Sequence, residues 1–234
     1  MVTARSRDTI THTPTGLATP TIMTMTRPVR MASDTGGTGD ELTAGGLHAL
    51  LAWMSPSFPV GAYTYSPRLE RVIEDGDVFD AATLHAWLDG VLRHGAGRSD
   101  AVLLAHAMSA ATPGDEKTFR ELLELSLALQ PSSERRLEAS AQGDAFASAV
   151  AAAWTPPVDT PAGQLFARLT SGADAVPRGG WTYCMALAAS AAAWGLPAGT
   201  VVTAGLHAFA ANLVSAAVRA VPLGQTDGQR VLSR

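Results

Sequence analysis

The sequence is short of charge and almost without lysine. Charged residues make up 16% of its 234 positions, against roughly a quarter in an average soluble domain, while 47% are hydrophobic. Of the 17 basic residues only Lys117 is a lysine, and it follows Asp115 and Glu116. A Walker-type phosphate loop needs a lysine directly behind its last glycine, so none can be built. Gly36-Gly37-Thr38-Gly39, with no strand pattern before it and no lysine after it, reads as linker. A net charge of −4 and the lack of any basic stripe or basic recognition helix argue against a nucleic-acid partner, because that affinity comes largely from neutralising phosphates.

Cysteine is nearly absent as well. Cys184 stands alone, which excludes a disulfide framework and a cysteine-based metal motif and makes a reducing cytoplasm the expected compartment. The histidines at 12, 48, 85, 94, 106 and 207 include no pair one helical turn apart, so no helical metal site is expected and no metal ligand is assigned. There is no Gly-x-Ser-x-Gly elbow. No alternating strand pattern of useful length appears either.

Between Gly179 and Val218 the chain carries no Asp, Glu, Lys or Arg. The run breaks at Gly195-Leu196-Pro197, the segment before the break is shorter than the roughly 20 residues that span a bilayer, and both halves are rich in Ala. Two buried helices, and no membrane span, are the expectation.

Helical signals fill most of the rest. Asp80 can cap a segment whose Leu84, Trp87, Leu88, Val91 and Leu92 form one buried stripe at i, i+3, i+4, i+7 and i+8. Further helices are expected from about residue 40 to Met54, Arg68 to Glu74, Ser99 to Ala110, Asp115 to Leu129, Glu134 to Ala153, Pro161 to Leu169, Trp181 to Trp194 and Ala198 to Val221. The fold class is therefore all-α, a single-domain bundle of about eight to ten helices over residues 41–234. The Thr-rich residues 1–40 lack the apolar stretch of a secretory signal and read as a disordered extension. Beyond Pro222 a flexible C-terminal tail is expected.

Two segments are too particular for ordinary core. Ser55-Pro56-Ser57-Phe58-Pro59-Val60-Gly61 cannot be helical, since two prolines fix φ and remove donors within four positions, and it leads into Tyr63, Tyr65, Ser66 and a charged helix start at Glu70. Near the other end, a charge-free helix stops at Arg219-Ala220-Val221-Pro222-Leu223-Gly224, followed by Gln225 and Gln229. Glu70 and Glu74, one turn apart, keep an enzyme in view as the alternative, with the two carboxylates and a buried histidine as acid and base. A solvated helix face beside Arg71 is the simpler account of that pair.

In these two segments the chain resembles the UreF family of urease accessory proteins. Ser55, Pro56, Pro59, Gly61, Ser66, Leu69 and Glu70 match its proline-rich opening motif, and Val221 to Gln225 with Gly228 and Gln229 match its closing Val-Pro-Leu-Gly-Gln motif. Ser133-Glu134-Arg135 and Gln142-Gly143 match its middle segment loosely, and Pro67-Arg68 replaces the usual His-Gly. The resemblance implies an all-helical, non-catalytic, cytoplasmic maturation factor without cofactor, commonly a homodimer. It would bridge the UreD/UreH accessory subunit and the GTPase UreG, regulate GTP hydrolysis and help deliver nickel to apo-urease. On that reading Phe58, Tyr63, Tyr65, Ser66, Glu70, Arg219, Gln225 and Gln229 are the candidate partner contacts, since interface cores are poor in charge and rich in aromatics and Arg.

Overall fold

The computed structural model describes residues 41–60 and 68–234. The chain divides after Gly36, and all described residues belong to the second unit, Gly37–Arg234. Among them there are helices and turns but no strand. The helices are α1 (Ala44–Trp53), α2 (Leu69–Glu74), α3 (Ala81–His94), α4 (Ala96–Ala111), α5 (Glu116–Ala128), α6 (Ser133–Ala153), α7 (Pro161–Thr170), α8 (Tyr183–Ala193), α9 (Ala198–Ala220) and α10 (Gln225–Leu232).

Local chemistry starts most of them. The side chains of Thr43, Asp80, Asp115, Ser132 and Thr160 each accept a hydrogen bond from a first-turn amide of the helix that follows, satisfying donors that have no intrahelical partner. At α3 the cap is reciprocal, with the Thr83 amide donating to Asp80 Oδ1 at 2.8 Å and the Asp80 amide donating to Thr83 Oγ1 at 3.0 Å. Pro161 occupies the first turn of α7, where its missing N–H costs nothing.

The core has two parts. The larger is built around α8, whose ten residues from Cys184 to Ala193 are all buried. Its alanines let α4, α6 and α7 approach on three sides, and the aromatic rings of Trp53, Phe58, Phe119, Phe146 and Trp181 fill the gaps between them. The smaller gathers Leu69 of α2, Leu84 and Leu88 of α3, Ala210, Leu213, Val214 and Ala217 of α9, and Val231 of α10. The apolar stripe expected for α3 is the one that enters this second core.

Two expectations change. The C-terminal motif is not a flexible tail: α10 folds back on α9 and α3 with Gly228 and Val231 buried. A Cβ on Gly228 would come within 2.8 Å of Val218 Cγ2 and 3.1 Å of Val214 Cγ1, so the absent side chain is what lets the two helices touch. The charge-free run also divides in two. Its first half, α8, is core throughout, whereas α9 is fully buried only at Val201, in the larger core, and at Ala210, Leu213, Val214 and Ala217, in the smaller one. By length and composition α9 could cross a membrane, yet its buried residues are shared between both cores.

Candidate interaction site

Helix α9 forms one wall of a groove of about 410 Å³. Val202, Gly205, Leu206, Phe209, Asn212, Ser215 and Arg219 line it at steps of one helical turn, over roughly 25 Å of helix. The other walls come from Gly97, Asp100, Ala101 and Leu104 of α4, Gln142 of α6, and Tyr183, Cys184 and Leu187 of α8. Trp53, Met54, Ser55, Pro56 and Val60, at the end of α1 and along the connector, close it.

The connector is rigid for local reasons. Ser55 Oγ lies 2.9 Å from Ser57 Oγ, and the backbone N–H groups of Phe58 and Val60 donate to Ser55 O at 3.0 Å and Phe58 O at 2.8 Å. Phe58 is only 8% exposed, and its ring stands 5.1 Å from that of Phe146, so it anchors the connector in the core rather than presenting a contact surface. Tyr63, Tyr65 and Ser66 lie outside the described residues. After them Arg68 adopts φ 60°, a left-handed conformation that costs a residue with a Cβ about 1–2 kcal/mol and that the glycine of the family motif takes freely.

Glu70 and Glu74 are exposed on α2, and Arg71 pairs with Asp75 at 2.8 Å rather than with either of them. Neither carboxylate is buried. Arg219 is exposed in the last turn of α9, where its Nη1 donates to Ser215 Oγ at 3.1 Å, and it lines the groove. Gln225 and Gln229 are exposed on α10 and do not line it. Among the described residues no three His, Cys, Asp or Glu side chains come together in a set able to hold a metal ion.

The structure thus brings parts of the opening motif, Ser55, Pro56 and Val60, to the same groove as Arg219, which stands just before the closing motif. The middle segment arrives there too. Arg135 Nη1 donates to Glu138 Oε2 at 2.6 Å, and Gln142 Nε2 donates to Glu138 Oε1 at 3.0 Å, a row along α6 that ends at the groove wall.

Several lining residues carry no signal in the sequence. Burial of Asp100 raises its carboxyl pKa to about 6, only partly opposed by the positive charge of Arg135. The Cys184 thiol is pushed up to about 12 by burial first and by the charge of Asp100 second, which keeps it protonated and unreactive. Burial likewise raises the Tyr183 phenol. The indole N–H of Trp53, a residue 1% exposed, finds no acceptor. Only Gln142, beside a glycine inside a helix pattern, carried a mark that could have been followed.

The UreF family profile matches residues 78–234. The protein named urease accessory protein UreF of Rhodopseudomonas palustris (strain BisA53) is 45% identical over 202 residues, covering 86% of this chain and 80% of the relative. Proteins of the same name from Xanthobacter autotrophicus and Cereibacter sphaeroides (strain ATCC 17023) are 43% and 46% identical, over 87% and 80% of this chain and 79% and 77% of their own lengths. The relatives are named as accessory proteins and not as enzymes.

Proposed function

The chain belongs to the UreF family of urease accessory proteins, and on that premise we propose that it serves urease maturation as a non-catalytic, cytoplasmic bridge between partner proteins. It joins the UreD/UreH accessory subunit to the GTPase UreG, acts as a homodimer, and regulates GTP-dependent nickel delivery to apo-urease. Nickel here is cargo handled by the assembly, and no ligand set for it is assigned in this chain.

The observation that carries this reading is the convergence on one groove of three segments far apart in the chain: the Ser55–Val60 connector, the Arg135–Gln142 row on α6 and Arg219. Along the groove α9 presents Val202, Leu206 and Phe209, each half-buried, and a protein contact uses such a partly covered apolar surface. Tyr63, Tyr65, Ser66 and Glu70 follow the connector in the sequence and are proposed partner contacts. Gln225 and Gln229 form a second contact patch on α10. Phe58 contributes by fixing the connector.

Coexpression with the accessory subunit and the GTPase tests the proposal. Wild-type protein is expected to copurify with both. Arg219→Ala, which removes one exposed side chain hydrogen-bonded to Ser215, should weaken the complex about tenfold or more with unchanged circular dichroism and melting temperature. Copurification of neither partner with the wild type would overturn the bridging role.

A further inference from the structure

Two residues that line the groove carry polar groups with unmet demands. Asp100 is the one carboxylate among the described residues lining it, and among those residues it takes part in no hydrogen bond or ion pair; the one charge that favours its ionised form is that of Arg135. The Trp53 indole N–H is buried and has no acceptor. A buried donor without an acceptor and a desolvated carboxylate without a donor each cost free energy that a ligand of complementary chemistry would return.

We infer that the groove between α4 and α9 receives an apolar peptide segment of a partner protein carrying one basic side chain, which pairs with Asp100 while a main-chain carbonyl of the segment accepts from Trp53. Each part of this occupant answers a feature of the site. The apolar body matches Val60, Leu104, Leu187, Val202, Leu206 and Phe209. The cation matches the carboxylate. The free carbonyl excludes the interior of a helix, whose carbonyls are already bonded, and favours an extended stretch or a helix end. A second copy of this chain fits less well, since its long apolar run from Gly179 to Val218 offers no cation. The inference rests on the proposed bridging role only in taking a protein segment as the occupant.

The charged and titratable groups around Asp100 are Arg135 and Glu138 on α6, Tyr183 and Cys184 on α8, and His207 and Arg219 on α9. Desolvation raises the Glu138 carboxyl as well, with Arg135 opposing it, so the α6 pair adds little net charge at neutral pH. A basic occupant binds the ionised form of Asp100, so its affinity should fall as pH drops through about 6.

The test uses the full chain and three blocked tripeptides, acetyl-Leu-Lys-Leu-amide and its norleucine and glutamate counterparts, titrated while the tryptophan indole N–H resonances are followed. The lysine peptide is expected to bind about tenfold tighter than the norleucine one at about pH 7.5, to shift the resonance that disappears in Trp53→Phe, and to lose its advantage at about pH 5. The same pH profile should persist in a His207→Gln background, which removes the one imidazole lining the groove among the described residues. In Asp100→Asn, with fold checked by circular dichroism, the lysine and norleucine peptides should bind alike. Equal binding of all three peptides to the wild type, no binding of the lysine peptide, or retention of its preference in Asp100→Asn overturns the inference. So does butylammonium binding as tightly as the peptide, which would make the ligand a free amine. Self-association that is abolished in Asp100→Asn would assign the groove to a second copy and also overturn it. None of these measurements uses urease partners, so their failure leaves the coexpression test of the bridging role untouched.

Discussion

Single residues decide how closely the elements approach. Gly143 looks like a flaw within α6, yet a Cβ there would lie 2.6 Å from the Trp181 carbonyl oxygen and the Thr182 carbonyl carbon. The start of α8 passes directly over that point, and Asp144 beside it accepts the Gly179 N–H at 2.6 Å. Backbone cannot step aside as a flexible side chain can, so Gly143→Ala should destabilise by about 2–3 kcal/mol despite the better helix propensity of alanine. Thermal unfolding followed by circular dichroism should show Tm falling by about 5–10 °C; an unchanged or higher Tm would refute the close approach.

Asp100 gives a second prediction at this scale. Its pKa rises from 3.8 in the unfolded chain to about 6 in the fold, so the folded protein holds more protons between those values. Stability contributed by this group is therefore greatest at or below about pH 4 and declines as pH rises toward and past 6. Because the carboxyl is only partly buried, the loss is on the order of 1–2 kcal/mol. Urea unfolding at about pH 4.5 and pH 7.5 should show Asp100→Asn gaining on the wild type at the higher pH, and a constant difference between the two would contradict it.

Elements were legible where their signals are local. The stripe and cap of α3, the Ser132 cap of α6 and the Thr160-Pro161 start of α7 can each be read within a few neighbouring residues, and those helices lie where periodicity and capping place them. The end of the chain was not legible. Gln225–Leu232 contains a glycine and few strong helix formers, and it is helical because Gly228 and Val231 dock on α9, a contact with no local trace. Deletion of the residues after Pro222 should therefore uncover the smaller core and destabilise the fold by about 2–5 kcal/mol, in addition to weakening partner binding. Chemical denaturation of the truncated chain checks this; wild-type stability would restore the idea of a dispensable tail.

At the scale of the whole molecule, low charge has two structural outlets. One is α8, enclosed on all sides. The other is α9, which spans both cores and keeps an apolar face along the groove. A complex formed across such a face should depend little on ionic strength, because exposed ion pairs contribute little to it and buried ones are weakly screened. Its dissociation constant should change less than about threefold between about 0.05 and 0.5 M salt. A much steeper dependence would move the main contact to the charged surfaces of α2, α5 or α10.

By itself the sequence determined the class of the protein: helical, because periodicity and caps are set by near neighbours, and without a phosphate loop, because lysine is missing where one would need it. It also carried the family motifs at both ends. Only the tertiary structure decided that part of the opening motif and Arg219, just ahead of the closing one, meet at one groove, that Phe58 serves the core, that the tail is a helix, and that Asp100 and Trp53 stand with unmet polar demands. The reason is the same in each case. Burial and desolvation depend on which distant segments pack together, and that distance in space is not written in the spacing of residues along the chain.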